Sequence, residues 1–199
     1  MDQNFIDPTL AEDLDRADRS GKVDVLFEYM QRRGNVHYEE EVTQLEHALQ
    51  AADLARSSGA SARQITSALL HDFGHLLVDE PEGDLFAMDL VHEEVGAAYL
   101  AAYFPPEVTI PIAMHVPAKR YLCSVDDAYY DGLSVASKKS FEIQGGKMSA
   151  QEQSEFETSP FVEFACKLRR WDDEAKRTGL QTNSLESFRD AVLNAFATA

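Results

Sequence analysis

Apolar residues in this chain recur at spacings of three and four and nowhere alternate over a sustained stretch. That pattern restricts the fold to helices packed on helices, so the expected class is all-α, a helical bundle. The most constrained stretch is Ser67-Ala-Leu-Leu-His71-Asp72-Phe73-Gly74-His75, where a run of small and apolar helical residues closes on adjacent histidine and aspartate. An imidazole nitrogen beside a carboxylate oxygen suits a borderline divalent metal, and a carboxylate can bridge two ions where a histidine cannot. His75, four residues after His71, falls on the same helical face.

The same periodicity divides the rest of the chain. Residues 8–30 read as two helices with a break at Gly21, and a third runs to about residue 58 with Glu39, Glu40 and Glu41 supplying negative charge at its start. A helix from about residue 61 delivers His71 and Asp72 at its C-terminal end. The polar, turn-rich residues 78–84 read as a surface excursion or a lid. Next comes a helix over about residues 90–103 with His92 in its first turn. Another is shaped by Pro111 and carries His115, and Pro117 to Tyr121 follow it directly. Ser134, Ser137 and Ser140 align on one helical face, and Ser149 with Glu152 forms a capping box. Helices over about residues 160–176 and 184–196 complete the chain, which reads as one domain spanning residues 1–199.

Against 18 Lys and Arg stand 35 Asp and Glu, a net charge of −17. Nucleic acid and anionic membrane are therefore excluded as main partners, and an anionic ligand would need basic residues gathered locally. Cys123 and Cys166 lie in apolar surroundings without metal-binding spacing and read as reduced core residues. No secretory or membrane-spanning segment is evident, so a cytoplasmic location is expected.

Of the six histidines, those at 47, 71, 75, 92 and 115 lie on or beside apolar helical segments. A single histidine in such a place is more often a hydrogen-bonded core residue than a ligand. Several on neighbouring helices favour metal binding, and four imidazoles with two carboxylates suit two iron or manganese ions better than a closed structural zinc site.

The order His47, His71-Asp72, His92, His115, Asp172 resembles the HD-domain superfamily, specifically its diiron oxygenase branch. Tyr38-Glu-Glu40-Glu-Val-Thr-Gln-Leu-Glu-His47, Leu69-Leu-His71-Asp72-Phe-Gly-His75, His115-Val-Pro-Ala-Lys119, Leu133-Ser-Val-Ala-Ser137 and Arg169-Arg-Trp-Asp172 are similar to motifs of the organophosphonate-cleaving dioxygenases of that branch. The likeness covers about residues 35–175. It implies a mixed-valent Fe(II)/Fe(III) pair, with His47, His71 and Asp172 on one iron, His92 and His115 on the other, and Asp72 bridging. It further implies that His75, Lys119, Ser137 and Arg169 hold phosphonate oxygens, that Tyr38 fills an iron position before substrate arrives, and that Glu40 faces the substrate nitrogen. Relatives usually carry glycine where this chain has Glu39, so Glu39 and Glu41 stand beside Glu40 as alternatives.

The resemblance implies O2-dependent cleavage of a C–P bond in a small organophosphonate. The extra acids and Tyr38 favour 1-hydroxy-2-(trimethylammonio)ethylphosphonate, giving glycine betaine and phosphate, because a quaternary cation gains from aromatic faces and diffuse negative charge. The alternative substrate is 2-amino-1-hydroxyethylphosphonate, giving glycine and phosphate. A rival of another class is a metal-dependent phosphohydrolase working through a metal-bound water, against which His92 and His115 argue. A regulatory protein that kept the metal fold without turnover is the third reading.

Overall fold

The computed structural model describes residues 8–35, 41–77 and 92–197. The described elements are α-helices with one 3-10 turn: α1 (Pro8–Arg16), α2 (Arg19–Arg33), α3 (Gln44–Ser57), α4 (Ala62–Leu70), α5 (Phe73–Leu77), α6 (His92–Leu100), α7 (Pro106–Val125), α8 (Asp127–Gly132), α9 (Val135–Ile143), α10 (Ala150–Glu157), α11 (Val162–Glu174), the 3-10 turn Leu185–Phe188 and α12 (Arg189–Ala195). The all-α bundle read from the periodicity is the fold observed.

Capping chemistry explains most differences in boundary. The break between α1 and α2 falls at residues 17–18 rather than at Gly21, because Asp18 caps α2 by accepting the Gly21 amide at 2.7 Å. For α3 the start is Gln44 rather than the acids near residue 40, since Thr43 and Glu46 form a capping box. The other expected box, Ser149 with Glu152, opens α10. Instead of one closing helix, a 3-10 turn leads into α12.

Two further differences shape the centre of the molecule. Residues 106–125 form one helix that carries both Pro111 and Pro117 in its interior. His115 and Lys119 therefore occupy one face of α7, four residues apart. The expected continuous helix through His71 and His75 is instead two helices, with His71 as the C-cap of α4 and Asp72 at the junction with α5.

The principal core is built from α1 to α7, α11 and the C-terminal elements, with Leu14, Leu26, Leu69, Leu77, Ile112 and Leu168 almost wholly shielded from solvent. α4 enters it with Thr66, Ser67 and Ala68 inward, and the Ser67 hydroxyl donates to the Val108 carbonyl of α7 at 3.1 Å. Small residues there let α4 and α7 approach closely. The closest approach joins α5 to α6. A Cβ at Gly74 would stand 2.0 Å from the His92 carbonyl oxygen, and one at Gly96 would stand 2.8 Å from the Gly74 nitrogen. Cys123 is buried and Cys166 half-buried, both as free thiols. Among the described residues no helix is long and apolar enough to cross a membrane.

Candidate active site

Six segments of chain bring buried and half-buried polar side chains into one cluster. His47 comes from α3, His71 and Asp72 from the α4–α5 junction, His75 from α5, His92 from the first residue of α6, and His115 from α7. Arg169 and Asp172 come from α11. His71 has no solvent-exposed surface, and Asp172 and Arg169 are 4% and 3% exposed. Burying so much polarity in a helical core is costly unless the groups satisfy one another or a ligand.

The histidine nitrogens meet in two pairs. Nε2 of His47 lies 3.1 Å from Nε2 of His71, and Nε2 of His92 lies 3.1 Å from Nε2 of His115. Asp72 lies between the pairs, its carboxylate oxygens 3.4 Å from His47, 3.5 Å from His71, 3.4 Å from His92 and 3.5 Å from His115. Asp172 serves the first pair alone, at 3.3 Å from His47 and 3.8 Å from His71. The His75 ring stacks on His92 with centroids 4.0 Å apart, and Asp72, His75 and His92 bring potential donor atoms within 4.8 Å of one another.

Backbone carbonyls orient the rings. Nδ1 of His47 pairs with the Ala175 carbonyl at 2.8 Å, that of His71 with Ala68 at 2.9 Å, and that of His115 with Ile112 at 2.7 Å. With Nδ1–H donating to a carbonyl, Nε2 of a neutral ring presents a lone pair to the cavity. Lone pairs facing each other at 3.1 Å beside two carboxylates require a positive charge between them.

Burial opposes charge on His47, yet the hydrogen bonds and charges of Asp172 and Asp72 override it and raise its pKa to about 10. His71 and His115 are pushed down by burial, and His75 falls to about 3 through burial and the neighbouring His92. Both carboxylates stay ionised well below the usual range despite burial, Asp72 through the surrounding histidines and Asp172 chiefly through Arg169. Neutral imidazoles and ionised carboxylates turned inward fit a metal cation.

Beyond the histidines the cavity is basic. Its lining includes Lys119, Arg169, Lys176, Ser137, Ser140 and Gln144. Lys119, only 2% exposed, donates from Nζ to Ser140 Oγ at 2.8 Å. Arg169 reaches Asp172 at 2.5 Å through one terminal nitrogen and Asp173 through the other, and Asp173 also accepts the Tyr129 hydroxyl. Arg169 Nε has no hydrogen-bond partner among the described residues.

Most of the residues singled out from the sequence thus converge. Lys119, Ser137 and Arg169 all line the cavity, and Arg169 also grips Asp172. Tyr38 and Glu40 lie outside the described residues, as does Glu39 and the expected excursion at 78–84. Glu41 is exposed, and its carboxylate accepts the Thr178 hydroxyl at 3.0 Å, away from the cavity lining. Sequence reasoning missed Lys176, and helical spacing from Arg169 and Asp172 could not have found it, because the helix that carries them ends at Glu174.

No family model matches the chain. Individual proteins do. The chain is 54% identical over 173 residues to hydroxymethylphosphonate dioxygenase of Gimesia maris, covering 86% of each protein. The chain belongs to the phosphonate dioxygenase family. It is also 38% identical over 185 residues to [1-hydroxy-2-(trimethylamino)ethyl]phosphonate dioxygenase (glycine-betaine-forming) of Leisingera caerulea, covering 90% of this chain and 93% of that protein. A third relative, uncharacterized protein L432 of Acanthamoeba polyphaga mimivirus, is 35% identical over 170 residues. Dioxygenase relatives fit a cluster of histidines and carboxylates that could hold a metal ion beside a basic recess in an acidic protein.

Proposed function

We propose that this chain is an oxygen-dependent oxidoreductase that cleaves the C–P bond of a small 1-hydroxyphosphonate, with hydroxymethylphosphonate as its substrate. The observation that carries the reading is one cavity lined by His47, His75, His92, His115, Asp72 and Asp172 together with Lys119, Arg169 and Ser137. The substrate follows the 54% identical relative.

The stoichiometry closes without an external reductant. Hydroxymethylphosphonic acid plus O2 gives formic acid plus phosphoric acid. The C–P bond and one C–H bond break, one oxygen atom of O2 goes to carbon and the other to phosphorus, carbon gains two bonds to oxygen and phosphorus one, and the carbon loses the four electrons that O2 accepts. His47, His71 and Asp172 would hold one iron and His92 and His115 the other with Asp72 between them, supplying electrons to O2 and open positions for substrate oxygens. Lys119, Ser137 and His75 bind the phosphonate oxygens, and Arg169 adds charge behind Asp172. Helix packing around the ligands excludes bulk water, which strengthens each of these polar contacts.

The trimethylammonio compound, favoured by the acids around Tyr38, is the second reading. It draws support from the 38% identical relative. The primary amine compound ranks below it, and the hydrolase reading lacks a relative of that name among those described above.

Protein purified anaerobically from iron-rich cells is expected to contain about two irons per chain. Given hydroxymethylphosphonate it should consume one O2 for each phosphate and formate released. A kcat/KM higher for the trimethylammonio compound would shift the substrate while keeping the reaction. Phosphate release with magnesium or zinc alone, and no oxygen consumed, would favour the hydrolase and sink the oxidative reading.

A further inference from the structure

Arg169 is a poor candidate for the main anion-binding charge. Its guanidinium already contacts two carboxylates, Asp172 and Asp173, so its charge is compensated before any ligand arrives. Two lysines from different segments also line the recess.

Lys119 comes from α7 and Lys176 from the chain just beyond α11. Helix α11 ends at Glu174, and the turn at Ala175 (ψ 40°) redirects the backbone. Lys176 Nζ then donates to Ser137 Oγ at 2.9 Å and lies 3.9 Å from Asp172. Lys119 Nζ donates to Ser140 Oγ, and Ser140 Oγ in turn donates to the Ser137 carbonyl at 3.3 Å. One turn of α9 therefore links both ammonium groups through two hydroxyls. All four side chains line the cavity that contains Asp72 and the histidines.

We propose that Lys176 is a substrate-binding residue, forming with Lys119, Ser137 and Ser140 the cradle for the phosphonate dianion. This rests on the phosphonate reading above. An anionic oxygen bonded to the Ser137 hydroxyl lies within direct Coulombic reach of Lys176, because the ammonium is already in contact with that hydroxyl. In a protein of net charge −17, two lysines gathered at the recess offset the repulsion a dianion meets on entry. The serine pair sets the spacing of the two lysines.

The test compares wild type with Lys176→Gln and Lys176→Arg, all iron-loaded. It uses anaerobic calorimetry with hydroxymethylphosphonate, steady-state kinetics and metal analysis. For Lys176→Gln, Kd and KM should rise about tenfold or more while iron content stays near that of wild type, and Lys176→Arg should recover part of the loss. Unchanged Kd and KM would overturn the assignment. So would a loss of iron with unchanged Kd in the chains that remain loaded, since Lys176 would then only brace Asp172. A wild type that binds the phosphonate without turning it over overturns the functional reading, and the Kd comparison still decides Lys176. A wild type that binds no phosphonate overturns both.

Discussion

The two histidine pairs have nearly the same internal geometry and are built in opposite ways. His47, His71 and Asp172 are set by hydrogen bonds within well-packed helices. Both rings bond backbone carbonyls, and Arg169 grips the carboxylate. His92 and His115 differ from each other. His115 bonds the Ile112 carbonyl inside α7, whereas His92 opens α6 and is placed by the approach of that helix to α5, by stacking on His75 and by Glu93 at 3.6 Å from its Nδ1. The first cluster is positioned by hydrogen bonds to carbonyls and by Arg169, and the second also depends on the close backbone approach at Gly74 and Gly96. The second should therefore be the one that backbone displacement loosens first.

Asp72 is the residue through which the comparison can be broken, because among the described residues its carboxylate lies within 3.5 Å of both pairs. Asp72→Ala is expected to lose metal from both halves and to lower kcat/KM by at least about a hundredfold. His92→Ala should lose one ion and keep the other. Metal analysis on both variants decides, and an Asp72→Ala protein holding as much metal as wild type would mean that the halves do not share this carboxylate.

A smaller effect sharpens the contrast in construction. In Gly74→Ala the new methyl would meet the His92 carbonyl at 2.0 Å, so α6 must move. The expected cost is about 1–3 kcal/mol, which for a chain of this size lowers Tm by roughly 2–12 °C. Metal should be lost preferentially from the His92 half. Gly132→Ala, where nothing lies within 4 Å of the added carbon, is the control and should change stability by no more than about 0.5 kcal/mol. Equal metal retention in both variants would remove the proposed dependence on the α5–α6 contact.

The smallest effect lies outside both clusters. Glu152 caps α10 and pairs with Arg120 of α7 at 2.7 Å. Its pKa is pulled down to about 2, first by the Ser149 backbone amide and then by Arg120. A carboxylate whose pKa is lower folded than unfolded stabilises the fold above its ordinary value of 4.5, and that contribution fades as pH falls from there towards 2. Glu152→Gln should therefore melt slightly below wild type at pH 6, with the gap narrowing at pH 3 and metal content unchanged in both halves. A gap that widens on acidification would show that this pairing contributes nothing.

Much of this was legible because helices write their contacts at fixed spacings. Apolar periodicity determined the all-α class, and the adjacency of His71 and Asp72 determined that these groups enter the site together. Capping boxes at Thr43 and Ser149 needed only four residues each. Linear order could not determine that Arg169 turns to Asp172 and Asp173 rather than outward, since all three lie on one helix and their partners depend on what packs against it. Nor could it show that Lys176, beyond the end of α11, folds back to Ser137 across the cavity. The difference in how the two clusters are built was equally hidden, because a glycine's value at 74 depends on the carbonyl that tertiary packing brings against it. Residue type and spacing marked the histidines and aspartates that converge, whereas the close approach at Gly74 and the Lys176–Ser137 contact join segments distant in the chain, and tertiary structure decided them.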